Sequence, residues 1–221
     1  MRGARPFINT LTLLFIITLS LLFLNIDISL AYDERHLDQI KTLNACVKCD
    51  LSKSDLRKLN AKEAILVQAD ISESNLASGD FRSANLVKAN LKKSDLTAAK
   101  LNFANLQEAN FEKSILRHAI FKNANLKGAK LRKADLSKAN LSGANLARTN
   151  MTKAVLRKVN MEGANLTGSN FNKSILQDVN LSGANLTKAD FTDAKIENVW
   201  FVDTLFCQTK MPWGLEAPHC K

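Results

Sequence analysis

A repeat of five residues constrains this chain more than any other feature. From Cys49 to Phe206 the frame runs without insertion or deletion. Call its large apolar position the centre. Centres fall at Leu51, Leu56, Ala61, Leu66 and every fifth residue to Phe206, which makes 32 repeats; Leu, Phe, Met or Ile fills 31 of them and Ala61 is the exception. Two residues earlier the side chain is small in 31 repeats, with Leu59 the exception, and Asn or Asp stands between the two in 22. The remaining two positions are mostly polar or charged.

The period excludes most architectures. A helix advances about 100° per residue, so centres five apart would spiral round it and never form a stripe. Heptad and leucine-rich repeats have other lengths. In an extended segment, residues two apart point to the same side. The small residue and the centre therefore face inward, and the Asn or Asp between them faces outward. An odd repeat cannot sustain that alternation without a corner, so the chain must coil round a narrow axis.

Sorting every fourth repeat reveals a longer period of 20. One column holds Leu66, Leu86, Leu106, Leu126, Leu146, Leu166 and Leu186, each with Ala two residues earlier. The next holds Phe111, Phe171 and Phe191, and the one opposite holds Phe81, Phe121 and Phe201. The fourth has Ser54, Ser74, Ser94, Ser114 and Ser174 in the small slot. Outward Asn and Asp are expected to bond in ladders along the stack, and all Phe side chains are expected inside.

Segments such as Ala84-Asn85-Leu86-Val87-Lys88 and Ala144-Asn145-Leu146-Ala147-Arg148 resemble the pentapeptide-repeat family. The resemblance covers residues 49–208. It implies an all-β fold, a right-handed quadrilateral parallel β-helix with four repeats per coil. Thirty-two repeats then give about eight coils, a shaft of roughly 38 Å at ~4.8 Å per coil. Departures in the Asn/Asp slot occur at Ile65, Lys100, Ile115, Ile120, Lys130, Val155, Ile175, Lys195, Trp200 and Leu205.

The organisation follows: residues 1–31 as a signal peptide, 32–48 as an N-terminal capping segment, 49–208 as the β-helix and 209–221 as a C-terminal cap or tail. In the first segment Arg2 and Arg5 precede an apolar run from Leu11 to Leu24, then Ser29-Leu30-Ala31. This is the order of a secretory signal, with cleavage after Ala31. The chain is thus expected to be exported, periplasmic or secreted; the alternative is inner-membrane anchoring through an uncleaved signal. Cleavage would take the net charge from +10 to +9. A short helix is expected from Asp33 to Ala45, capped by Asp33, with Leu37, Ile40 and Leu43 covering the first coil.

All four cysteines lie at the ends of the implied shaft, too far apart to bridge it. Only Cys46–Cys49 and Cys207–Cys220 can pair within one molecule, and an exported chain permits both. A zinc reading of Cys46-x-x-Cys49 needs two more ligands, and only His36 is near in sequence. No phosphate loop, nucleophile elbow or zinc-protease motif is present. The chain is read as no enzyme, with no cofactor or metal. Near the C-terminal end, Trp200, Phe206 and Trp213 read either as a hydrophobic plug or as a homodimer contact.

Charge is uneven. One corner column reads Lys53, Glu73, Lys93, Lys113, Lys133, Lys153, Lys173, Asp193, and Lys92, Lys130 and Arg132 lie on the same side. From residue 90 to 173 that side carries eight cations and one acid, Glu112. Two readings stand: repeat duplication copied a solvated Lys, or the side is a strip for an anionic partner, an envelope component or an acidic protein. With no outward aromatic platform, sequence-specific nucleic-acid reading is not expected. Some members of the family are acidic DNA mimics that bind topoisomerase; this chain has the opposite charge and an export signal. The expected function is a non-catalytic exported scaffold or binding protein. The alternatives are an assembly protein dimerising through its aromatic cap, or an effector acting on a host cell.

Overall fold

The structure, a computed structural model, describes residues 34–216 and Cys220. The signal segment and the Asp33 cap lie outside the described residues. Among the described residues the chain forms one helix, α1 (Glu34–Leu43), and five strands: β1 (Val155–Arg157), β2 (Ile175–Asn180), β3 (Lys195–Trp200), β4 (Thr209–Met211) and β5 (Gly214–Glu216). Among the described residues no helix is long and apolar enough to cross a membrane.

Most of the coil consists of isolated parallel bridges, and every bridge joins a residue to the one 20 positions on, from Ala45↔Ile65 to Asp190↔Lys210. The longer period seen in the sequence is thus the coil itself. Where bridges lengthen, β1, β2 and β3 pair in parallel with the same step, Val155↔Ile175↔Lys195. The frame also reaches beyond its sequence-read limits. Cys46 occupies a centre, with its amide bonded to the carbonyl of Ile65 at 2.7 Å. Met211, 4% exposed, fills another centre at the far end.

Each corner is a β-turn built the same way. The residue two after the centre takes a left-handed conformation, as in Lys93 (φ 60°), Phe103 (φ 60°) and Gly143 (φ 66°). The amide three after the centre often closes the turn, as Ala104 does to Leu101 at 3.1 Å. Asn and Asp explain how non-glycine residues hold this geometry. Each of the 22 accepts, through Oδ1, the amide N–H two residues on, for example Asp70 from Ser72 at 3.0 Å and Asn145 from Ala147 at 3.2 Å. These are Asx turns. Ladder bonds between slots of adjacent coils also occur, as from Asn90 to Asp70 at 3.0 Å and from Asn125 to Asn105 at 3.3 Å. The slot's main work is local rather than along the stack.

The interior is a single column of centres and small residues, nearly all under 3% exposed. Each buried Leu contributes about 1.5–3 kcal/mol. Phe171 and Phe191 stack in adjacent coils with centroids 4.4 Å apart, and Phe111 meets Phe121 across the axis edge-on at 6.1 Å. Ala61 and Leu59, the two exceptions to the frame, compensate each other: Ala61 is fully buried and the half-buried Leu59 packs on the core. Buried serines bond inward carbonyls, as Ser114 to Phe111 at 2.7 Å and Ser94 to Ile71 at 2.6 Å. Among the described residues no buried side-chain polar atom lacks a partner.

The ends differ from the shaft. In α1, Ile40 is 2% exposed and joins the core, and Leu37 packs beside it. Leu43 does not join them; it is 69% exposed, because the helix ends there and Asn44 turns left-handed (φ 51°). Disulfides link Cys46 to Cys49, across the first turn, and Cys207 to Cys220. At the far end β4 and β5 form an antiparallel hairpin with Trp213 at its tip.

Candidate functional site

The corner column of lysines is a consequence of the coil. Lys93, Lys113, Lys133, Lys153 and Lys173 all take the left-handed corner position, with φ between 57° and 60°. Each of the middle three is tied to the coil that follows: Lys113 to Arg132 at 3.0 Å, Lys133 to Thr152 at 3.0 Å and Lys153 to Asn172 at 2.9 Å, amide to carbonyl. Their side chains are exposed and project from successive coils.

The eight cations read from sequence are not equivalent. Three of them are paired with acids, two with Glu112 and one with Glu73. Arg132 lies 2.9 Å from Glu112 and Lys92 3.9 Å from it, while Lys93 lies 2.7 Å from Glu73. The hydrogen bond from Arg132 and the neighbouring cations hold the Glu112 carboxyl below its usual range, against the effect of burial. Lys93 does the same to Glu73. Lys113, Lys130, Lys133, Lys153 and Lys173 are exposed and form no ion pair among the described residues, although Lys113 is near enough to Glu112 to favour its charged form. Lys130 stands in an Asn/Asp slot, in ladder with Asn110 and Asn150, on the face next to the corner.

A second cationic corner is not apparent from the lysine column. Arg117, Lys138, Arg157 and Lys158 occupy the following corner over the same coils, all exposed. Arg117 is held by Asp135 at 2.6 Å, and the others have no acidic partner among the described residues. Burial opposes ionisation of Asp135, yet bonds from Ser137 and Arg117 keep its carboxyl below the ordinary value. The signal was in the sequence: Lys153-Ala154-Val155-Leu156-Arg157-Lys158 carries cations at both ends of one side.

One expectation about aromatic residues needs correction. Phe103 points outward and is 63% exposed, because it fills the corner position and not a centre. Phe206 belongs to a centre, turns inward onto the core and meets Phe201 at 5.5 Å. Of the three residues expected to form a C-terminal contact, only Trp200 (54% exposed) and Trp213 (63%) face solvent. His118 stands exposed at a corner. Among the described residues no group of three or more His, Cys, Asp or Glu is placed to hold a metal ion.

Comparison with known proteins agrees with this geometry. The family model for pentapeptide repeats matches in eight copies between residues 49 and 201. Among solved structures, the pentapeptide repeat protein Rfr23 from the cyanobacterium Cyanothece 51142 is 27% identical with a TM-score of 0.51, covering 52% of this chain and 92% of its own. A trypsin-treated form of QnrB1, a plasmid-mediated fluoroquinolone resistance protein, is 22% identical with a TM-score of 0.51, covering 72% and 78%. HetL from Nostoc sp. strain PCC 7120 is 24% identical with a TM-score of 0.34, covering 78% and 91%. No curated protein matches the sequence. With its period of five, its step of 20 and a family match over most of its length, the chain belongs to the pentapeptide repeat family, whose members fold as right-handed quadrilateral β-helices.

Proposed function

We propose that the protein is an exported, non-catalytic scaffold that presents a basic β-helix face to anionic partners. In this reading about eight coils form a rigid shaft, with α1 covering the first coil through Ile40. The observation that carries it is the row Lys113, Lys133, Lys153 and Lys173: stacked in register, exposed and in no ion pair among the described residues. Like charges on corners ~4.8 Å apart in the backbone repel, so the row lowers stability until an anion neutralises it. The fold alone does not assign a role, since one architecture carries many functions. QnrB1 and HetL are described by quinolone resistance and by heterocyst differentiation.

The test is binding of polyphosphate, followed by fluorescence anisotropy across a salt series. Affinity is expected to fall steeply as salt rises. Reversing Lys113, Lys133 and Lys153 to Glu is expected to abolish binding with the melting temperature retained, since Glu63, Glu73 and Glu108 already occupy the same left-handed position elsewhere. Unchanged binding by that variant would reject the reading.

A second reading, self-association through the C-terminal end, is favoured by a cluster of exposed apolar residues there: Trp200, Val202, Leu205, Trp213 and Leu215, between 38% and 66% exposed. Light scattering of a Trp213→Asp variant tests it. A dimer that becomes a monomer supports it, and an unchanged mass rejects it.

A further inference from the structure

The two cationic corners bound one side of the shaft, and the floor between them is aliphatic. Ile115, Asp135, Val155 and Ile175 stand in one ladder on successive coils, joined by parallel pairing. Ile115 is 39% exposed, and Val155 and Ile175 are half-buried. All three stand in the outward slot where 22 other repeats hold Asn or Asp. Each therefore forgoes an Asx turn and sets an apolar group against solvent, a local cost that the fold does not require. Asp135, the acid within this run, is paired with Arg117 at 2.6 Å, and Asp95 borders the run beyond Ile115.

The sequence shows the arrangement compactly in Lys113-Ser114-Ile115-Leu116-Arg117 and Lys153-Ala154-Val155-Leu156-Arg157-Lys158. Along one edge run Lys113, Lys133, Lys153 and Lys173; along the other run Lys138, Arg157 and Lys158, all exposed. Asp178, Asp193 and Glu197 close the patch toward the C-terminal end.

We propose that this side docks flat on an anionic phospholipid surface, with the aliphatic floor at the headgroup–acyl boundary and both cationic rows on lipid phosphates. The proposal rests on the basic corner being an anion-binding element, and it names the partner. A soluble polyanion would satisfy the cations and leave the aliphatic floor against a hydrated chain. A membrane interface takes both, as basic amphipathic surfaces do. The Lys and Arg stems add apolar contact while their charged heads reach the phosphates. Each cation near such a surface strengthens binding about fivefold.

The experiment measures the exported form of the protein against phosphatidylglycerol-containing vesicles by co-sedimentation, with phosphatidylcholine vesicles as background and polyphosphate as a soluble anion. The floor variant combines Ile115→Asn, Val155→Asn and Ile175→Asn. It installs the residue that the repeat itself prefers, so folding is retained and a melting curve verifies it. The floor variant is expected to lose about tenfold or more in vesicle binding and to keep its polyphosphate affinity. The row variant Arg157→Gln with Lys158→Gln is expected to lose about 25-fold on vesicles. Vesicle binding unaltered in the floor variant overturns the proposal and leaves the basic-corner reading standing. So does polyphosphate binding with no vesicle binding. Failure to bind either anion overturns both.

Discussion

Val155 and Ile175 are register partners in adjacent coils, and both stand where the repeat usually places Asn or Asp. Each begins a true strand, β1 or β2, with no side-chain oxygen to close an Asx turn and a β-branched side chain that favours extended backbone; Ile115 and Ile120 share both traits and still pair through single bridges, so these traits permit a strand without dictating one. β3 extends this sheet from Lys195, and the rest of the coil pairs through single bridges. Asn145→Ala, which deletes the acceptor for the Ala147 amide, should cost about 1 kcal/mol in chemical denaturation. Val155→Asn should change stability by less than about 0.5 kcal/mol, as a regained turn offsets a lost strand.

The left-handed corner gives a second prediction. Gly143 and Gly163 occupy it in adjacent coils, with φ +66° and +63°. A Cβ at Gly163 would meet nothing within 4 Å, whereas one at Gly143 would run into the Asn123 side-chain oxygen. Gly163→Ala should therefore cost only the left-handed strain, about 1 kcal/mol. Gly143→Ala should cost about the same once the exposed Asn123 side chain turns aside, and Asn123→Ala should leave that cost unchanged. A gain in stability from either glycine substitution would contradict the left-handed corner.

The core makes a third. Leu146 is fully buried in a column of leucines, and Leu146→Ala should destabilise by about 2–5 kcal/mol. Phe171→Ala also removes a stacked partner of Phe191 and should cost about 3–5 kcal/mol. Phe103→Ala, at an exposed corner, should stay within about 0.5 kcal/mol.

Much of this was legible beforehand, for definite reasons. Inward positions could be read because Leu106, Leu126 and Leu146 repeat at five and at twenty, and only a coil satisfies both periods. Ion pairs one coil apart, such as Lys93 with Glu73, were latent in the same columns. The role of Asn was read as ladders because outward placement says nothing of its local bond to the amide two residues on. Phe103 shows that hydrophobicity is a poor sign of burial in this coil, because the frame position decides it. The second cationic corner was missed because its members alternate between two adjacent positions, Arg117 and Arg157 in one and Lys138 and Lys158 in the next.

Acid should weaken the fold in a defined window. Hydrogen bonds and cations hold the carboxyls of Asp135, Asp80 and Glu112 below their usual values, 3.8 for Asp and 4.5 for Glu, although burial opposes this at each. A lowered folded-state value means the unfolded chain binds protons first. Stability is complete above the ordinary values and falls as pH drops through about 4 and below. Asp135→Asn keeps an acceptor for the Ser137 amide and removes the titrating group. Its melting temperature should show a shallower decline between pH 4 and 2.5 than the parent.

The most direct test of the central claim separates the place of charge from its amount. One variant reverses Lys113, Lys133 and Lys153 to Glu; a second reverses Lys122, Lys127 and Lys188, which lie on other corners and produce the same change in net charge. Anisotropy with labelled polyphosphate at fixed ionic strength should show binding lost in the first and largely kept in the second. Equal loss in both would show that net charge alone attracts the anion and that the lysine corner is no site.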